Sequence, residues 1–187
     1  MNETPRPEKK ARKEPDTVLY TWVESPVARL LLRSDGEVLT GVDFDGGRSM
    51  PDILPSWRKD TGWFRPVERQ LEAYFARRLR VFEVPLSFKG TAFQDEVWAV
   101  LLRIPYGETV SYGFVAREVG RPKGARAVGQ AIGQNPISII VPCHRVVGGQ
   151  GALTGYGGGM ERKVWLLGHE ARALGRNPRW PESWPAR

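Results

Sequence analysis

The sequence predicts an α+β fold in two parts: an N-terminal α/β domain with a small sheet, then a mostly helical domain containing a helix-turn-helix. Three observations carry this. Strand-like runs separated by turn residues occupy positions 18–44. From Val67 onward the apolar residues shift to helical spacing. The 187 residues are 41% hydrophobic and 26% charged, which suits a globular chain able to bury a core.

Residues 1–16, "MNETPRPEKKARKEPD", are rich in Pro, Lys and Glu, and read as a disordered tail. They hold no apolar stretch of the kind a secretory signal needs. Residues 17–88 form the first domain. "VLYTWV" and "VARLLLR" are strands split by Glu24-Ser25-Pro26, and "EVLTGVDF" follows the turn Ser34-Asp35-Gly36. A helix is expected over Val67 to Arg80, with Val67, Leu71, Tyr74, Phe75 and Leu79 on one face. Residues 81–90 read as a linker with room for a short strand.

Residues 89–174 form the second domain. Thr91 with Gln94 is a capping-box pattern, followed by a face of Phe93, Val97, Val100, Leu101 and Ile104 and a stop at Pro105-Tyr106-Gly107. A second helix should start near Ser111, and "GRPKG" separates it from a third, "ARAVGQAIGQ". Two short helices around that turn suggest a helix-turn-helix. The third carries mainly small residues, which permit close approach to a neighbouring backbone, whether a partner's or the protein's own. The run Ile137 to Val141 reads as a buried strand leading to Cys143, and a last helix should start near Met160 with Val164, Trp165 and Leu167 inside. Residues 175–187 form a C-terminal tail that could pack back on the first domain.

Composition excludes several functions. No run of 18 or more apolar residues exists to span a membrane. One cysteine forbids an internal disulfide and suits a reducing cytoplasm. With two histidines besides, neither a metal nor another cofactor is expected. The net charge is +7, and it is uneven: residues 1–89 carry 16 basic and 14 acidic side chains, residues 90–187 carry 12 and 7. Between Glu118 and Glu161 there is no acidic residue, whereas Arg121, Lys123, Arg126 and Arg145 all fall there. Such a stretch fits a polyanion partner, or simply a solvated basic surface.

The chemistry gathers at "VPCHRVV". A thiol attacks as thiolate, so Cys143 needs a base or a positive charge nearby. His144 is adjacent, but neighbours in an extended chain point apart, so contact needs a sharp turn or an intervening water. A histidine base also needs an acceptor on its second nitrogen, and Glu170 in "GHEARAL" is the leading candidate. Singly, each residue could be structural: a buried thiol, a core histidine, a solvated carboxylate.

Together they resemble a family. "VPCHRVV", "FQDEVWAVLLRIPYGETVSYGFVA", "GARAVGQAIGQNPISIIVPCHRVVGGQGALTGYGGG" and "RKVWLLGHE" resemble, in order and spacing, the motifs of the O6-alkylguanine-DNA alkyltransferases. The likeness covers about residues 88–174, and the first 80 residues match only in length and strand content. Cysteine stands where the family's non-reacting lesion binders carry tryptophan.

The resemblance implies single-use transfer of an alkyl group from O6-alkylguanine in duplex DNA to Cys143, with O4-alkylthymine a candidate second substrate. It implies that Glu170 orients His144, which deprotonates Cys143 through a water, and that Asn135 is the hinge from recognition helix to active-site strand. The asparagine could equally be a left-handed helix cap. By the same likeness Tyr112, Val146, Tyr156 and Gly157 surround the extruded base, with the Val146 carbonyl accepting from its amine and glycine at 157 adding room for larger alkyl groups. Arg126 is the finger that fills the vacated stack, and Ala125, Ala127, Gly129, Gln130, Arg121 and Lys123 face a minor groove. A monomer is expected. Two other classes stay open: a cysteine hydrolase using Cys143, a histidine and Asn135, and a lesion-binding module without chemistry.

Overall fold

The computed structural model describes residues 18–180, so the N-terminal tail and the end of the C-terminal one lie outside the described residues. The first domain is a four-stranded sheet in the order β3-β2-β1-β4, from β1 (Leu19–Val23), β2 (Leu30–Ser34), β3 (Leu39–Phe44) and β4 (Arg58–Lys59). The three expected strands form the antiparallel meander, with Leu30, Leu32, Leu39 and Val42 fully buried. The two-residue β4, parallel to β1, carried no sequence signal.

Helix α1 spans Thr61–Phe75, six residues earlier at its start than expected and five earlier at its end. Asp60 caps it by accepting from Trp63 N–H at 3.0 Å. It stops because Arg77 adopts a left-handed φ of 60°, while Arg78 N–H bonds Ala73 O and Arg77 N–H bonds Tyr74 O. This is a Schellman closure with arginine where glycine usually sits, so the composition hid the stop. Residues 81–90 hold no strand, only an isolated bridge from Leu86 to Leu39.

In the second domain α2 (Ala92–Leu102) has the capping box of Thr91 and Gln94. Ser111 caps α3 (Tyr112–Glu118), which packs on α4 (Ala125–Gly133) as the expected helix pair. Helix α5 runs Met160–Ala173, burying Lys163, Val164, Leu166, Leu167 and Glu170, with Trp165 only half-buried. A parallel two-residue pair, β5 (Val110–Ser111) with β6 (Val146–Val147), ties the start of α3 to the segment after Cys143.

The approach to Cys143 is not a strand. Residues 137–141 are buried but turn, with Ile139 left-handed at φ 71°, and Cys143–Arg145 form a 3₁₀ turn. A short apolar run cannot distinguish buried strand from buried turn. What fixes the turn is β3: Val42 N–H donates to Pro136 O and Ser138 N–H to Val42 O, each at 2.9 Å. One hydrophobic core therefore runs from the sheet through α1 to α2 and the 137–141 turn. The described part of the C-terminal tail packs on the second domain, not the first: Arg179 donates to Gln150 O at 2.7 Å and Arg176 to Glu108 at 2.8 Å.

Candidate active site

Glu170 and His144 are both fully buried, and His144 Nε2 lies 2.8 Å from Glu170 Oε1. A carboxylate can only accept, so Nε2 carries the proton and Nδ1 presents its lone pair. Nδ1 is buried and has no protein partner. Burial pulls the imidazole below its ordinary pKa despite the upward pull of Glu170, so the ring is neutral and basic at Nδ1. No hydrogen bond joins His144 to Cys143 directly.

Glu170 serves more than the histidine. Burial alone would raise its pKa, but His144 and Arg145 hold the carboxyl well below the usual range. Arg145 Nε approaches Oε2 at 3.0 Å and Nη2 approaches Oε1 at 2.9 Å; Tyr74 OH and Gly107 N–H add bonds of 2.8 and 2.9 Å. Arg145 is thus a buried partner of Glu170, not part of a polyanion-facing surface.

Cys143 is 5% exposed. Asn135 Nδ2 donates to its sulfur at 3.0 Å and to Val141 O at 2.9 Å, while Asn135 Oδ1 accepts from Ile137 N–H. Asn135 pins the turn that presents the thiol, and its φ is not positive, so it is no left-handed cap. Burial pushes the thiol pKa up; Asn135, the Tyr156 hydroxyl at 3.9 Å and the Lys163 ammonium pull it part of the way back. The thiol is therefore harder to ionise than a free cysteine, and needs a base to become the attacking thiolate. Lys163 is the cation nearest in effect: fully buried, lowered to about 8 by burial, it donates to Val146 O at 2.7 Å and Thr154 O at 3.2 Å. One lone pair of the Val146 carbonyl is therefore already engaged.

In front of Tyr156 opens a cleft of about 400 Å³, lined by Tyr112, Tyr156, Gly157 and the Ala125-Gly129-Gly133 face of α4. The small residues of α4 thus open the cleft. A Cβ on Gly129 would reach 3.6 Å from the Tyr112 ring. Tyr112 OH reaches across to Gly155 O at 3.4 Å. Gly157 does not add free room as expected: a Cβ there would lie 3.0 Å from Gly133 O, so glycine lets this loop close on α4. Arg126, Ala127, Gln130 and Lys123 are exposed beside the cleft, and Arg121 stacks on Phe93 at 4.4 Å.

Sequence reasoning missed Tyr74, Arg145 and Lys163. Lys163 had a signal: it sits seven residues, about two helical turns, before Glu170 and so on the same side of α5. Tyr74, 96 positions from Glu170, had none.

Comparison with known proteins agrees with this architecture. Residues 18–88 match the 6-O-methylguanine DNA methyltransferase ribonuclease-like domain, and residues 92–172 that family's DNA-binding domain. A methylated-DNA–protein-cysteine methyltransferase of Methanosarcina acetivorans is 49% identical over 79% of this chain and 95% of its own. One from Mycobacterium tuberculosis is 51% identical over 79% of this chain and 89% of its own. The crystal structure of Mycobacterium tuberculosis OGT in complex with DNA superposes with a TM-score of 0.78 at 48% identity, covering 86% of this chain and 95% of that one. The chain belongs to the methylated-DNA–protein-cysteine methyltransferase family.

Proposed function

We propose that this protein repairs O6-alkylguanine in DNA by moving the alkyl group, once per molecule, onto Cys143 Sγ. Direct methyl transfer from O6-methylguanine to a cysteine is the reaction of its family, and Cys143 is the only cysteine. The observation that carries the assignment is the buried Glu170–His144 pair with its unpartnered Nδ1, next in sequence to the sole cysteine, whose sulfur lies 3.9 Å from the hydroxyl of the cleft-lining Tyr156.

The Cys143 proton passes to His144 Nδ1 through a water, and the developing imidazolium is stabilised by Glu170. The soft sulfur attacks the alkyl carbon; the S–C bond forms as the C–O6 bond breaks. The electron pair stays on guanine, which ends as the neutral base after taking up the relayed proton. Lys163 offsets charge on sulfur as it ionises. No second thiol exists to reopen the thioether, so the acceptor is spent.

DNA is the partner, as for the Mycobacterium tuberculosis relative solved with it. The base enters the cleft between Tyr112, Tyr156 and Gly157, and Tyr112 donates to it while helping to rotate the nucleotide. Helix α4 lies in the minor groove with Ala125, Ala127, Gly129 and Gln130 toward DNA, Arg121 and Lys123 flank it, and Arg126 enters the stack. The protein acts as a monomer in the cytoplasm. A hydrolase reading is disfavoured because the Asn135 amide is committed to the turn and the sulfur, leaving it no role at an oxyanion.

The test is stoichiometry. Excess duplex carrying labelled O6-methylguanine should lose one methyl per protein and then stop. Continued turnover, or tight binding with no loss of label, contradicts the proposal.

A further inference from the structure

Arg48 is the one charged side chain that lines the cleft, and the one lining residue contributed by the first domain. It sits in the loop after β3, and among the described residues its guanidinium has no hydrogen-bond, ion-pair or ring partner. Its backbone, in contrast, is held. Arg48 N–H donates to Gly157 O at 3.2 Å, Gly47 N–H to Phe44 O at 2.8 Å, and Met50 N–H to Gly47 O at 3.2 Å. From α5, Arg162 Nη2 donates to Asp45 O at 2.7 Å. The nearby carboxylate of Asp45 is taken by Arg29 at 2.8 Å, and among the described residues no acid pairs with Arg48.

Arg48 is exposed, so the fold makes no use of its guanidinium, which meets solvent at the cleft on a fixed backbone and is available to an anion there. The position also matters. Arg48 bonds Gly157, and Gly157 is the residue that closes on Gly133 of α4. The cation therefore sits on the loop that meets the C-terminal end of α4, whereas Arg126 stands at the start of that helix. A nucleotide can enter this cleft only with its own phosphate left at the rim. A guanidinium matches a phosphate bidentately, and more tightly than it does any neutral acceptor.

We propose that Arg48 binds the backbone phosphate of the nucleotide that enters the cleft, so that the first domain is part of the DNA interface. This rests on the DNA-repair reading above. It extends that reading, because a helix-turn-helix in the second domain would otherwise carry all the phosphate contacts. The contact is ionic and independent of the base, so it stabilises the complex on any sequence.

The experiment measures affinity against salt for a duplex carrying one O6-methylguanine, with full-length protein bearing Cys143→Ala so that no transfer occurs. Arg48→Ala should bind several-fold more weakly at low salt, and its log–log salt slope should be shallower by about 1. Arg48→Lys, which keeps the charge, should retain the original slope. An unchanged slope in Arg48→Ala overturns the proposal whatever the affinity, as does an equal loss of slope in both variants. Methyl transfer by wild-type protein is assayed separately, so a failure of the repair reading would appear there and not in the slope.

Discussion

Five donor groups converge on the two oxygens of Glu170, and the consequences differ for stability and for rate. Glu170→Gln is nearly isosteric, yet it leaves the Arg145 guanidinium buried without its counter-charge. The expected loss is about 3–5 kcal/mol of stability, read by denaturant unfolding. In wild type the depressed carboxyl stabilises the fold fully above its unfolded pKa of about 4.3, and that contribution is lost as pH falls. The rate follows other groups. The thiol is raised and the imidazole lowered, so deprotonated sulfur and neutral base both gain toward alkaline pH. Single-turnover rates should climb from about pH 6 to about pH 9. Glu170→Gln, measured while folded, should be slowed most at the acid end, with the deficit shrinking where the thiol ionises unaided. A deficit constant across the range would remove Glu170 from the relay.

Helix α2 shows how a local sequence rule reaches the site. Thr91 Oγ1 accepts from Gln94 N–H, Gln94 Oε1 accepts from Thr91 N–H, and Gln94 Nε2 donates to Gln134 at the end of α4. Thr91→Ala should cost about 1 kcal/mol and lower Tm by about 2–4 °C. Arg126 at the start of α4 is exposed and free to enter a stack. Arg126→Ala should weaken repair in matched duplex more than in single strands, because extrusion costs a few kcal/mol only where a stack exists. Equal losses on both substrates would make it a phosphate contact.

These elements also mark what could be read from the chain. The capping box, the Ser111 cap and the strand meander announce themselves within a few residues, and the structure has them. The end of α1 does not, because Arg77 takes a backbone conformation that composition assigns to glycine. Residues 137–141 look like a strand because burial on all sides erases periodicity. The pairing of His144 with Glu170 was legible, and the structure has it at 2.8 Å; the buried arginine beside the histidine was not, since nothing in "CHR" tells an inward guanidinium from an outward one.

Tyr74 belongs to a longer range. It stands on α1 of the first domain and donates to Glu170 in the second, while β3 holds the 136–138 turn by backbone bonds. The first domain is thus a support for Glu170 and for the turn that leads to Cys143. With one shared core, unfolding should be a single transition, coincident by circular dichroism and fluorescence. Tyr74→Phe removes one hydrogen bond to a charged acceptor and should cost about 1.5–3 kcal/mol. It should also slow transfer less than Glu170→Gln does, because His144 and Arg145 still hold the carboxylate. Two separated transitions would contradict the view of the first domain as integral to the site.

The central claim is that Cys143 is the alkyl acceptor, and its most direct test is the mass of the reacted protein. After incubation with excess duplex carrying one O6-methylguanine, the intact protein should gain a single methyl of about 14 Da, and peptide mapping should place it on the fragment containing Cys143. Cys143→Ser should gain none while still binding the duplex. An unmodified wild-type protein, or a methyl found on any other residue, would contradict the account.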